Sequence, residues 1–310
     1  MNTKRAKRLI LLFAALLIVA AMVAFRVIPS MGAQKRLRSI RAEGVPVSPL
    51  ELDAWYKLVP ATENRALLIL EAAKELVEPA NGKDPNSGKL GSMNAGEEMS
   101  PALLEAISTH VAKNEAALKL LHSAAQLPES RYPVDLSRGM NTTLPHLARI
   151  RSLLQLLRTE SVQYSHLGDR PAAVRSVLAM FPVASSLRNE PILIADLVRI
   201  IGVTITLNGL ERVLSEHQLP DAELVQLSAR LTEAEADGPR SLYRGLVGER
   251  ACGIGGFKMS FSELEAVGGG PGQANENFPG GELVQALGFQ AYRLSGLRER
   301  DLSCYLEMME

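Results

Sequence analysis

Aromatic residues make up only 5% of the 310 positions, with Trp55 the single tryptophan. A β-sandwich or barrel draws heavily on aromatic and β-branched side chains, so the composition argues against one. Cysteine is scarcer still, limited to Cys252 and Cys304. The two share no CxxC spacing and have no histidine close by in sequence, which excludes a disulfide framework and a cysteine-based zinc site. Both are expected to be small buried hydrophobes. Net charge is missing too, with 34 bases against 34 acids. That balance conceals an asymmetry: residues 1–42 carry nine bases and no acid, leaving 25 bases against 34 acids in the rest. An acidic body is ill suited to phosphate, so nucleic acid is not an expected partner. What the chain has in quantity is Leu, Ile, Val and Ala within an apolar share of 46%, enough for a sizeable core without disulfides or metal.

Leu9 to Phe25 is an uninterrupted apolar run of 17 residues that follows Lys4, Arg5, Lys7 and Arg8. As a helix it spans roughly 25 Å, near the lower limit for crossing a bilayer. Val27 and Ile28 extend it if Arg26 reaches the headgroups, and Pro29 ends or kinks it. A cleaved signal peptide shares the basic start and apolar core. The run is longer than a usual leader core, however, and the small-residue site Val19-Ala20-Ala21 lies inside it. The expectation is an uncleaved anchor that engages membrane lipid through residues 9–28. The four bases packed beside its N-terminal end favour a cytoplasmic N-terminus and a body on the outer, periplasmic side.

The remaining chain reads as all-α: a single N-terminal transmembrane helix followed by an antiparallel helical array. Residues 1–42 form the anchor and a basic juxtamembrane segment, 43–251 a helical domain, 252–281 a Gly-rich segment, and 282–310 a C-terminal helix. Prolines stand at several helix starts, where a missing N–H costs nothing. Ser48-Pro49-Leu50-Glu51 is a full capping box, and Ser100-Pro101 repeats the cap-plus-proline device. Spacing and breakers predict helices near 49–58, 63–77, 101–126, 144–167, 170–187, 190–216, 221–236, 239–251 and 282–309. Residues 78–99 and 128–142 read as loops. In the 144–167 helix, Leu147, Ile150, Leu153, Leu154, Leu157 and Tyr164 fall within an arc of roughly 120°, which marks a buried face. Val203 to Leu207 has a strand-like composition, but Leu193, Leu197, Ile200, Thr204 and Leu207 keep the helical spacing.

Tyr164, Gly168, Asp169 and Ala173 occupy the aromatic, turn-glycine and small positions between the two helices of a tetratricopeptide repeat. The segment resembles one degenerate unit of that family, about a tenth of the chain, with Met180 and Ser185 departing from the pattern. The resemblance implies helix-hairpin packing and a protein partner on the helical body. More broadly, the chain resembles single-pass bacterial membrane proteins with helical bodies and no assigned activity. That resemblance rests on Ile40-Arg41-Ala42-Glu43-Gly44, Asp53-Ala54-Trp55-Tyr56 and Gly248-Glu249-Arg250-Ala251.

Catalytic signatures are absent from the sequence. His110, His122, His146, His166 and His217 form no HxxxH or HExxH pair, and each reads as a surface or helix-end residue. There is no GxSxG elbow and no Walker lysine. Gly253-Ile254-Gly255-Gly256 follows a helical segment rather than a strand and reads as a flexible turn. Glu233, Glu235 and Asp237 lack the glycine turn of a calcium loop and read as a solvated helix end before Gly238. No cofactor is expected. The Glu249–Arg250 junction, as a local ion pair or as groups directed at the Gly-rich segment, is the candidate functional position. The expected role is a membrane-anchored interaction or scaffold protein. The alternative is an exported enzyme with its site near 252–281, which would gather acids, histidine or Lys258 there. The C-terminal residues Tyr305 to Glu310 are apolar and acidic without a glycine stop. They suggest an incomplete chain or a terminal helix docked on a partner.

Overall fold

The computed structural model describes residues 13, 16, 17, 27, 28, 30–78, 98–267 and 281–309. The expected anchor at 9–28 lies outside the described residues except for Phe13, Leu16, Leu17, Val27 and Ile28, which are helical and exposed. Most of the 78–99 loop and residues 268–280 of the Gly-rich segment also lie outside them. Among the described residues there is no strand, only an isolated bridge between Asn64 and Glu129.

The helices, in chain order, are α1 (30–42), α2 (Pro49–Trp55), α3 (Arg65–Glu75), α4 (Pro101–Lys113), α5 (Glu115–Ala124), α6 (His146–His166), α7 (Arg170–Ala184), α8 (Leu193–Glu216), α9 (Asp221–Gly256), α10 (Phe261–Val267), α11 (Gly281–Ser295) and α12 (Leu297–Met308). They fold into two compact units. One comprises Met1–Trp55, Leu136–Thr142 and Arg250–Glu310, the other Tyr56–Asp135 and Thr143–Glu249. Helix α9 carries the chain from the second into the first between Glu249 and Arg250.

The second unit is organised on the α6–α7 hairpin. Gly168 takes φ +76° at the turn, a left-handed conformation that costs a residue with a Cβ about 1–2 kcal/mol. Asp169 then caps α7 by accepting the Ala172 N–H at 3.1 Å. The expected arc is buried at Leu147, Ile150, Leu153, Leu154 and Leu157, and α6 is enclosed beyond it, with Arg158, Thr159, Glu160 and Ser161 also buried. Helix α8 packs on both arms of the hairpin, α3 packs with α5 and α6, and α4 lies on α6. Ala173, Val174, Val177 and Phe181 of α7 meet Leu210 and Val213 of α8 and Leu227 of α9 in one apolar cluster.

Several boundaries differ from the sequence reading. The helix expected over 101–126 breaks at Asn114. Its fully buried amide accepts the Val77 N–H at 2.8 Å and donates to the carbonyls of His110 and Val77. The expected break at Gly238-Pro239 is absent, and α9 runs through it. Inside a helix a proline loses its N–H bond and crowds the carbonyl four residues back, here that of Glu235; Gly238 relieves only the further crowding on the preceding Cβ. Glu233 and Asp237 are consequently not a helix end: both pair with Arg188, at 3.2 and 3.3 Å.

Helix α8 is helical through Val203–Leu207 as expected, but the stripe that identified it points outward. Leu197, Ile200 and Leu207 are 41–48% exposed, whereas Asp196, Arg199, Gly202, Thr206, Gly209 and Arg212 face the core. Gly202 makes this possible, since a Cβ there would stand 2.8 Å from Leu154 Cδ1. By length and composition α8 is also the described helix that could cross a membrane.

In the first unit, Ser48 Oγ accepts the Glu51 N–H at 3.3 Å, as a capping box requires. The returning bond is displaced by one residue: Glu51 accepts the Val47 N–H at 2.9 Å. Arg41 reinforces it with two hydrogen bonds to the Glu51 carboxylate, at 2.7 and 3.0 Å, and these hold that carboxyl below the usual range. Gly253 to Gly256 end α9 as helix and not as a flexible turn. A side chain on Gly253 would overlap the Tyr305 hydroxyl, and one on Gly255 would stand 2.7 Å from Pro49 Cγ. The expected single helix 282–309 divides at Gly296. Its last turn docks on its own chain, with Leu306 buried, Tyr305 against Phe257, and Glu307 paired to Arg36 at 2.8 Å. No partner is needed to cover Leu306. Cys252 is buried as expected, but Cys304 is exposed.

Candidate functional site

The second unit contains a cleft of ≈ 870 Å³ walled by the end of α4, the length of α5, the C-terminal third of α6, α7 from Ala172 to Pro182, and α9 near Arg230. Its floor is built around Glu160. This carboxylate sits on α6 beside the apolar arc and is nine-tenths buried. Its Oε2 lies 2.8 Å from His122 Nε2 and accepts the Ser176 hydroxyl at 2.7 Å, so one oxygen joins α5, α6 and α7. Burying a carboxylate is costly unless such partners satisfy it. Leu118, Leu178 and Pro182 supply the apolar lining.

The rim is basic. Lys119 is bound to Glu115 at 2.7 Å within α5, and Arg230 to Glu233 at 2.9 Å within α9. Arg175 is exposed at the mouth and has no ion-pair partner among the described residues. Arg175 therefore presents a guanidinium at the mouth that no carboxylate among the described residues holds, which complements an anionic group on a ligand that also presents apolar surface. The floor does not offer an attacking group. Ser176 is fully buried, with its hydroxyl committed to Glu160 and the Ala172 carbonyl. The arrangement suits binding.

A second polar group in the same unit is sealed from solvent. His146 Nε2 lies 2.9 Å from Glu190 Oε2, and the His146 ring stacks on Tyr132 at 4.2 Å between centroids. Tyr132 hydrogen-bonds Ser186 at 2.8 Å, and its N–H donates to the Tyr56 hydroxyl at 3.1 Å. Burial, aided by the Glu190 charge, pushes both tyrosine hydroxyls up. Arg65 is brought down to about 10, chiefly by burial, and donates to the Pro182 and Pro128 carbonyls. This network fastens the segment 128–132 to the hairpin.

The histidines do lie at or near helix ends, but two are not surface groups in the expected sense. His146 is 4% exposed and His122 is bound to Glu160. The candidate junction has a structural task on one side: Glu249 accepts the Leu193 N–H at 3.3 Å, placing a carboxylate at the N-terminus of α8, where no other side chain caps it. Arg250 belongs to the first unit, and its buried Nε makes no hydrogen bond. The cleft residues His122, Glu160, Arg175, Ser176 and Arg230 went unrecognised as a site in the sequence. The available signal was Glu160, which falls roughly 20° outside the apolar arc at 100° per residue. A charge at that edge needs a partner from a neighbouring helix. Among the described residues no three His, Cys, Asp or Glu side chains are grouped to hold a metal ion. No family model, curated protein or solved structure matches the chain.

Proposed function

We propose that the chain is a membrane-anchored helical interaction protein whose cleft receives a partner segment bearing a carboxylate beside apolar side chains. The observation that carries this reading is the cleft itself: a concavity between helices with a mixed polar and apolar lining, and with the Arg175 guanidinium exposed at its mouth. The tether is the apolar run 9–25 with its flanking bases, and residues 43–310 lie on the outer side of the cytoplasmic membrane. The single tetratricopeptide-like hairpin, Tyr164 to Ala173, contributes α6 and α7 to the cleft wall, so the resemblance and the concavity point to the same use.

The test is co-purification of tagged full-length protein from solubilised membranes. A discrete partner should accompany the wild type and be lost with Arg175→Glu, which reverses the unmatched charge on an exposed position. Identical recovery with both proteins would show that the cleft is not the binding surface.

A further inference from the structure

We propose that α8 pairs through its outward face with α8 of a second copy, as an antiparallel helix pair. Leu193, Ile200, Leu207 and Leu214 recur at every seventh position, and Leu197, Thr204 and Glu211 fall between them. The steps alternate four and three residues, the 3.5-residue period of a coiled-coil seam. Leu197 is 48% exposed, Ile200 47%, Leu207 41% and Leu214 48%, with Ile194 and Ile201 beside them at 48% and 43%. The opposite side of α8 is already occupied, packed on α6 and α7 through Gly202 and Gly209. From Leu197 to Leu214 the seam is therefore additional to the core face and exposed, whereas Leu193 lies against Gly245 of α9.

The pattern also selects the occupant. It is symmetric about Thr204: a two-fold axis there sets Ile194 opposite Leu214, Ile201 opposite Leu207, and Thr204 on its own copy. A parallel pair would instead set Glu211 on Glu211, a like-charge contact. The antiparallel arrangement leaves one mixed pair, Leu197 against Glu211. A lipid surface is the poorer occupant, because interfacial helices place bases beside their apolar stripe. The exposed polar residues of α8 are Thr204, Asn208, Glu211 and Ser215, with no base among them. The exposed apolar patch is on the order of 500 Å² on each copy, so a pair buries about the 1,000 Å² that a specific interface needs. The inference does not depend on what the cleft binds.

The test uses full-length protein in detergent micelles, carrying Cys304→Ser so that no native thiol is exposed. Light scattering should show a dimer, and Thr204→Cys should give a disulfide-linked dimer on mild oxidation. Copies with Leu197→Cys should cross-link to copies with Glu211→Cys, and not to each other. Ile200→Glu with Leu207→Glu should give a folded monomer, while Leu167→Glu, at an exposed position on the hairpin, stays dimeric. A monomeric wild type overturns the proposal, as does a dimer that survives the double substitution. Liposome binding by a monomer that the double substitution abolishes would assign the face to lipid instead. Unfolding of the double variant, with no Thr204→Cys cross-link, would show that the chain's own residues cover the face.

Discussion

His146 and Glu190 form a 2.9 Å pair whose side chains are only 3% and 0% exposed, on segments 44 residues apart. The pair fixes the start of α6 against the turn that leads into α8. Removing one partner leaves the other buried without its bond, so Glu190→Ala should cost about 3–5 kcal/mol. The double substitution His146→Phe with Glu190→Leu should cost clearly less than the two single changes combined. Denaturant unfolding of the four proteins measures this; strict additivity would mean that the contact contributes nothing.

Leu157 lies at the centre of the α6 arc and is fully buried, so Leu157→Ala should cost roughly 2–5 kcal/mol. Leu167→Ala, just beyond the end of the helix at 66% exposure, should stay within about 0.5 kcal/mol of wild type. Equal effects would place the hairpin on the wrong face.

Glycine substitutions should divide by cause. Gly248→Ala drives a methyl group into the Pro191 carbonyl oxygen and should destabilise by up to about 3 kcal/mol. Gly32 lies in α1, and a methyl group added there would meet open space, so Gly32→Ala should stabilise by about 0.5–1 kcal/mol. Thermal denaturation of the two variants distinguishes them, and shifts of the same sign would contradict the packing.

The Arg41 hydrogen bonds that lower the Glu51 pKa make a pH-dependent contribution. With the folded value below the unfolded one, the contribution is complete above the ordinary glutamate range and is lost as pH falls through the folded value. Glu51 is 37% exposed, so solvent screening limits it to at most about 1 kcal/mol. Comparing wild type with Glu51→Gln, the stability gap should narrow between neutral pH and acid; a gap that widens has the wrong sign.

Much of the fold was legible because helix starts and apolar periodicity are local. Ser48-Pro49, Ser100-Pro101 and Gly168-Asp169 mark helix boundaries with their own backbone chemistry, and all three act there. What escaped depends on residues distant in sequence. Asn114 breaks a helix because Val77 lies beside it, and Gly253 needs no side chain because Tyr305 occupies the space. The outward stripe of α8 was found by its spacing, yet spacing alone does not reveal which side meets the core. The cleft required Glu160, His122 and Ser176 to meet from three helices, and no linear motif records that.

The interaction reading is tested most directly by site-specific photo-crosslinking in intact membranes. A photoreactive residue at Gln226 or Leu178 should capture one discrete adduct in the membrane fraction, while the same residue at Leu58, which is 78% exposed and outside the cleft lining, captures none. No adduct from either cleft position, or the same adducts from all three, would contradict the account.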